Sequence, residues 1–223
     1  MGSVTRFKIL AVTDQVVDSL ESPNVKNRFG DVDLIISCGD LPYTYLDYLV
    51  TVLGKPMYFV HGNHDKDYEY TENGRRYLAP QGATPLDMRV VKGPGGLILA
   101  GLDGSIRYDA ASSHQFTQEQ MDRRATQLAG KLMGHRVRHG RYLDILVTHS
   151  PPFGVGDGPD PAHVGFRAFN TIISRFKPRL MLHGHLHRYF GPYVTPPSTQ
   201  VGATRVINVY PYQLIEWEDD HAG

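Results

Sequence analysis

The sequence has a single cysteine, no net charge and no long apolar run, and each shortage excludes something. Cys38 alone cannot build a disulfide framework or a cysteine-based zinc site, so the chain need not live in an oxidising compartment and a cytoplasmic location is expected. Lys and Arg number 23, as do Asp and Glu. That balance argues against affinity resting on whole-molecule attraction to nucleic acid or anionic lipid. No apolar stretch approaches bilayer length, and Met-Gly-Ser-Val-Thr-Arg at the N-terminus lacks the core of a signal peptide, so no membrane partner is expected. No Pro/Gly/Ser-rich linker interrupts the 223 residues, and a single domain over 1–223 is expected. Against these shortages stands one surplus, eleven histidines.

Short apolar runs punctuated by Gly, Pro and polar residues alternate with helical patterns, as in an α/β domain. The runs are Phe7 to Val12, Leu34 to Ser37, Met57 to Val60, Leu97 to Ala100, Leu143 to Val147 and Leu180 to Leu182. Their continuous apolarity predicts strands buried on both faces. Helices are predicted from Ser22-Pro23 to Gly30, over Tyr45 to Leu53, after the capping box Thr117-Gln118-Glu119-Gln120, and through Phe166, Phe169, Ile172, Ile173 and Phe176 up to Pro178. Gln200 to Val209 and Gln213 to Trp217 follow one another without a helix, and with Asp87 to Lys92 they predict antiparallel strands and two stacked sheets.

Chemistry-bearing residues fall just after the predicted strands, where open α/β sheets place their ligands. Asp14 follows the first, Gly39-Asp40-Leu41-Pro42-Tyr43 the second and Gly62-Asn63-His64-Asp65 the third; Thr148-His149-Ser150 and Gly184-His185-Leu186-His187 follow two later ones. Singly, such an Asp is a turn former and such a His a satisfied polar residue. Together they form a mixed oxygen and imidazole donor set that suits zinc, iron or manganese, numerous enough for two ions sharing a bridging carboxylate. Gly62 and Gly184 fit a need for backbone to pass close to the ions.

In order and type, these elements resemble the calcineurin-like metallophosphoesterase family over Asp14 to His187. The resemblance implies an αββα sandwich of two stacked mixed sheets flanked by helices, with a two-metal centre at the sheet edge. It implies that Asp40 bridges, that Asn63, His149 and His185 complete one site, and that Asp14 and His187 hold the other. One departure stands out. The family's first element is Asp-x-His, whereas this chain reads Asp14-Gln15-Val16, and valine cannot ligate. Tyr43 is the candidate replacement, because Gly-Asp-x-x-Tyr resembles the purple acid phosphatase branch, in which a tyrosinate binds ferric iron. That would put Fe(III) at Asp14, Asp40, Tyr43 and His187 and a divalent Fe, Mn or Zn at Asp40, Asn63, His149 and His185. The alternative for Tyr43 is packing at a helix start; Asp18 is a weaker replacement.

The resemblance further implies hydrolysis of phosphomonoesters or phosphodiesters of small phosphorylated substrates, through a metal-bound hydroxide held in line with phosphorus. His64 would contact a phosphoryl oxygen or protonate the leaving alkoxide, with Asp65 orienting it; a structural hydrogen bond beside the metals is the alternative. A nuclease or cyclic-nucleotide phosphodiesterase of the same fold competes with this reading. So does a non-catalytic scaffold with a partly degraded site, as in the retromer subunit of the superfamily, and Val16 is the residue in its favour. Loops 65–85, with Tyr68, Tyr70, Arg75, Arg76 and Tyr77, and 151–163, with Asp157, Asp160 and His163, are expected to flank the site. Arg107 could meet a phosphate. The basic stretch Lys131 to Arg141 lacks interleaved aromatics, so it reads as a solvated helix end and nucleic acid is not indicated. His61 and His183 are expected to be packed, and His114, His135, His139 and His221 to be surface residues.

Overall fold

The computed structural model describes residues 5–66, 68–70, 73–74, 76–77, 79–109, 112–140, 142–187 and 197–219. The elements of its two large sheets and their helices are β1 (Thr5–Val12), α1 (Val25–Phe29), β2 (Leu34–Ser37), α2 (Tyr43–Leu53), β3 (Met57–Phe59), β4 (Ala83–Pro85), β5 (Val90–Lys92), β6 (Ile98–Leu102), α3 (Gln118–His139), β7 (Ile145–Thr148), α4 (Arg167–Phe176), β8 (Leu180–His183), β9 (Ser198–Val201), β10 (Thr204–Asn208) and β11 (Tyr212–Asp219). One sheet runs β11-β1-β2-β3-β4 and the other β9-β10-β8-β7-β6-β5. Each is parallel at its centre, with an antiparallel strand at an edge: β11 on β1 in the first, β9 on β10 and β5 on β6 in the second.

Strand periodicity explains why the runs are apolar throughout. Alternate residues point to opposite faces, so Ile9, Ala11, Leu34 and Ile36 of the first sheet meet Leu99, Ile145, Val147, Leu182 and Ile207 of the second in a core between the sheets. Their neighbours Leu10, Val12 and Ile35 face outward, onto Val25 and Phe29 of α1 and Tyr45, Leu46 and Leu49 of α2. On the far side Ala100, Leu102, Leu146 and Met181 pack against α3 and α4. Three apolar layers with helices outside are the αββα sandwich that the resemblance implied. Each fully buried Leu, Ile or Val contributes roughly 1.5–3 kcal/mol, so both sets of alternate residues must stay apolar.

Two helices start elsewhere than the sequence predicts, each for a local reason. Ser22 does not cap α1; its hydroxyl donates to the Ser19 carbonyl, and the helix starts after Asn24. α2 begins two residues early, because Pro42 stands at its N-cap with a fixed extended backbone and Tyr43 turns inward. The capping box of α3 is present in both directions: Thr117 Oγ1 accepts from the Gln120 backbone N–H (3.3 Å), and Gln120 Oε1 accepts from that of Thr117 (2.9 Å). The Gln200 to Val209 run is a hairpin of β9 and β10 about Gly202. No helix among the described residues is long and apolar enough to cross a membrane.

Candidate metal centre

The carboxyl ends of β1, β2 and β3 in one sheet and of β7 and β8 in the other meet at one edge of the sandwich. Asp14, Asp40, Asn63, His64, His185 and His187 line a cleft of about 490 Å³ there, and His149 lies fully buried beside it. The chain strains to present them. Asp14, Asp40 and His185 hold φ of 60°, 57° and 69°, a left-handed conformation that costs a non-glycine residue about 1 kcal/mol or more and concentrates at functional sites.

His149 sets the centre. Its Nδ1 donates to the Cys38 carbonyl (2.8 Å), which turns Nε2 toward Asn63 Oδ1 (3.0 Å) and Asp40 Oδ2 (3.2 Å). Asn63 is oriented from its other side, where Nδ2 donates to the Tyr108 hydroxyl (2.8 Å). Asp14 accepts from the Thr13 hydroxyl (2.7 Å) and from the His185 backbone N–H (2.9 Å). His185 Nε2 donates to the Ala162 carbonyl (2.8 Å), leaving Nδ1 for another partner. His187 is half-exposed, with Nε2 3.9 Å from Asp14 Oδ1 and its ring stacked on Tyr210 at 4.3 Å. Ligand atoms of Asp14, Asp40 and His149 all fall within 4.8 Å of one another. Two carboxylates with side chains only 4% and 7% exposed, set beside imidazoles held in ligating orientation by backbone carbonyls, fit hard or borderline cations such as zinc, manganese or iron.

Gly62 and Gly184 are required by this closeness. A Cβ on Gly62 would collide with the Asp40 carboxylate and lie 2.7 Å from His149 Cε1, and one on Gly184 would collide with Thr13 Oγ1 and Asp14 Oδ2. Gly184→Ala is therefore expected to destabilise the metal-free protein by about 1–3 kcal/mol through overpacking and to weaken metal binding at least tenfold. Thermal unfolding and metal titration check both.

Burial pulls the His149 imidazole down, but the Asp40 charge, its hydrogen bond and the Asp14 charge outweigh it, and His149 is pushed up to about 10. Asp40 is correspondingly held well below the usual carboxylate range, because His149 outweighs its burial. Burial, reinforced by the His149 charge, takes His185 down to about 3. The His149 contribution to metal-free stability is fully present below pH 6.5 and is lost as pH rises through about 10; that of Asp40 is present above its ordinary pKa and lost as pH falls below it. Since a ligating imidazole must be neutral, loading the centre at pH 7 is expected to release at least about one proton per chain, with His149 contributing and His185 not. Calorimetry in buffers of different ionisation enthalpy reads that number, and zero release would contradict it.

Three expectations need correction. Tyr43 does not join the cluster: it is the first residue of α2, its ring is buried, and its hydroxyl donates to the Lys66 carbonyl (2.9 Å) and lies 3.1 Å from His61 Nε2. A phenol donating to a carbonyl is protonated, so the geometry does not support the ferric tyrosinate arrangement. Asp65 does not orient the His64 ring; its carboxylate accepts from the backbone N–H groups of Gly62 (2.7 Å) and Asp40 (2.9 Å), tying two strand ends together. Burial and the Asp40 charge push it up to about 6. His114 is not a surface residue: its ring stacks on His61 at 4.6 Å, beside Asp103. Val16 packs against the α1 and α2 layer and supplies no ligand.

Around the cleft, Arg107 is engaged by the Gln115 carbonyl (2.9 Å), while its neighbour Tyr108 lines the cleft instead. No motif spacing marks Tyr108 in the sequence. His163 also lines the cleft, held by Asp160 at 2.8 Å. Tyr68 and Tyr70 border a second cavity of about 710 Å³ beside Asp65. Arg75, the Tyr77 side chain, the His139 side chain, Arg141 and His221 lie outside the described residues.

A double sheet with carboxylate, amide and imidazole donors at its shared edge is the architecture of metal-dependent phosphoesterases. The chain belongs to the calcineurin-like phosphoesterase family, whose model matches residues 7–189. It is similar to metallophosphoesterase domain-containing protein 1 of Homo sapiens and of Mus musculus, 37% identical in each case over 65 residues, which is 28% of this chain and 20% of theirs. The match thus spans a fifth of the length of those relatives. Its fold is also similar to that of TT1561 of Thermus thermophilus, with a TM-score of 0.60 at 14% identity over 92% of this chain and 89% of that one. Another solved structure gives 0.58 at 17% identity over 92% and 91%. Family membership supports a metal-dependent hydrolase.

Proposed function

We propose that the chain hydrolyses phosphate esters of small molecules at a two-ion centre, with Asp40, Asn63, His149 and His185 holding one divalent ion and Asp14, Asp40 and His187 the other. The observation that carries this reading is the convergence of His149 Nε2, Asn63 Oδ1 and Asp40 Oδ2 at 3.0 and 3.2 Å, with Asp14 alongside. Bound there, such ions acidify water and neutralise charge on phosphoryl oxygens. The chain's own residues position and exclude. Thr13 and the His185 N–H fix Asp14, Asp65 fixes the Asp40 and Gly62 backbones, and Cys38 fixes the His149 tautomer. His64, exposed at the cleft wall, is placed to touch a phosphoryl oxygen or to supply a proton to the departing alkoxide. With the chain neutral overall, attraction of an anionic substrate has to come from the centre itself.

Aryl phosphomonoesters and phosphodiesters, assayed with manganese, zinc or iron and again after chelation, test this reading. Hydrolysis that chelation abolishes and added metal restores is the expected result. A second reading, a non-catalytic scaffold, has Val16 in its favour, because the Asp14 and His187 ion is left one protein ligand short. Metal binding without hydrolysis under any of these ions would move the assignment to it.

A further inference from the structure

The backbone on either side of Tyr108 is tied to Gln115. Arg107 Nε and Nη2 donate to the Gln115 carbonyl (3.2 and 2.9 Å), and the backbone N–H groups of Tyr108 and Asp109 donate to Gln115 Oε1 (3.0 and 2.8 Å). Gln115 is itself buried, and with Phe116 it pairs in parallel with the short strand Ser105–Ile106. Separately, the Ser112 hydroxyl donates to the Asn63 carbonyl (3.1 Å). The backbone is thus tied at several points, while the ring stays 45% exposed over the cleft.

Toward Asn63 the hydroxyl acts as an acceptor, and the Gln115 side chain also lies within its reach. Asn63 Nδ2 is a donor, so at 2.8 Å the Tyr108 oxygen accepts. Accepting from Asn63 leaves the hydroxyl proton able to turn toward the cleft that Tyr108 lines, and a phenol keeps that proton at neutral pH. Resting on the phosphoesterase reading, we propose that Tyr108 is a catalytic residue that donates a hydrogen bond from its hydroxyl to a non-bridging phosphoryl oxygen, held in place by the Asn63 amide. The proton stays on Tyr108, and no bond forms or breaks there. The interaction strengthens as the phosphoryl oxygens gain charge, which is what makes a fixed donor effective. The same contact selects for a tetrahedral or trigonal-bipyramidal oxyanion beside Asn63.

Tyr108→Phe removes one hydroxyl from a half-exposed ring. The manganese-loaded wild type and variant are compared for manganese affinity, for orthovanadate affinity by calorimetry, and for kcat and KM on an aryl phosphodiester, with circular dichroism confirming the fold. The expected result is manganese affinity within threefold, orthovanadate affinity down about 10- to 100-fold, and kcat down similarly with KM little changed. Unchanged orthovanadate affinity and kcat would overturn the assignment. So would a loss that follows manganese affinity and vanishes at saturating manganese, since Tyr108 would then act only by positioning Asn63. A wild type that binds manganese but neither holds orthovanadate nor hydrolyses any ester removes the phosphoesterase reading itself, and Tyr108 with it.

Discussion

Asp40→Asn is expected to abolish hydrolysis and to weaken metal binding by on the order of a thousandfold or more. Outer partners of a metal site cost about 10- to 100-fold when removed, and Asp40 is no outer partner: its carboxylate lies 3.2 Å from His149 Nε2 and within reach of Asp14. The amide keeps the shape of the carboxylate but loses its charge, which is the part that the two ions of the proposed centre would share. Folding is expected to suffer far less. The metal-free variant leaves the buried His149 without its principal counter-charge, yet the imidazole can shed its proton, so roughly 1–3 kcal/mol of stability is lost. The pH dependence reports the same event: the His149 contribution, full in the wild type below pH 6.5 and lost progressively as pH rises through about 10, is expected to be largely absent from the variant, which flattens that limb of its stability profile. A variant that keeps both ions and full activity would show that Asp40 is only a turn residue.

The second large effect is expected at His64. His64→Ala is expected to lower kcat by about a hundred- to ten-thousandfold, the range for loss of a positioned acid or hydrogen-bond donor, with metal affinity within a few-fold. The separation follows from which part of the residue does what. His64 supports Asp40 through its backbone N–H, 2.8 Å from Asp40 Oδ1, and alanine retains that donor. The imidazole is exposed at the cleft wall, so its loss changes stability by no more than about 0.5 kcal/mol. Steady-state kinetics with metal titration separate the two quantities. Equal activity in variant and wild type would remove His64 from the reaction, and a parallel collapse of metal binding would make it a positioning residue.

Comparison of these residues with the sequence shows what spacing encodes. Asp14, Asp40, Asn63, His149 and His185 were legible because each follows an apolar run, and parallel strands deliver all their carboxyl ends to one edge. Burial of the central strands on both faces was legible because the runs are apolar throughout, and the stacked sheets because Gln200 to Val209, Gln213 to Trp217 and Asp87 to Lys92 read as antiparallel strands. Direction was not legible. Gly-Asp-x-x-Tyr places Tyr43 three residues beyond Asp40, but Pro42 starts a helix there, and the first turn carries the phenol inward to the Lys66 carbonyl. Asp65 follows His64 in the chain, yet its side chain turns back under Gly62 and Asp40. Tyr108 is held by one buried glutamine, and no local pattern announces a tie between Gln115 and two backbone groups seven and six residues away.

The central claim is that this strand edge binds metal ions and uses them on phosphate esters. It is tested most directly by elemental analysis and calorimetric titration of the purified chain, paired with hydrolysis of an aryl phosphodiester at each metal occupancy. Two ions per chain are predicted, the first tight and the second weaker because Val16 leaves the Asp14 and His187 side short of a ligand, with activity rising only as the second ion loads. Binding of no divalent ion, or hydrolysis that survives complete chelation, would contradict the account.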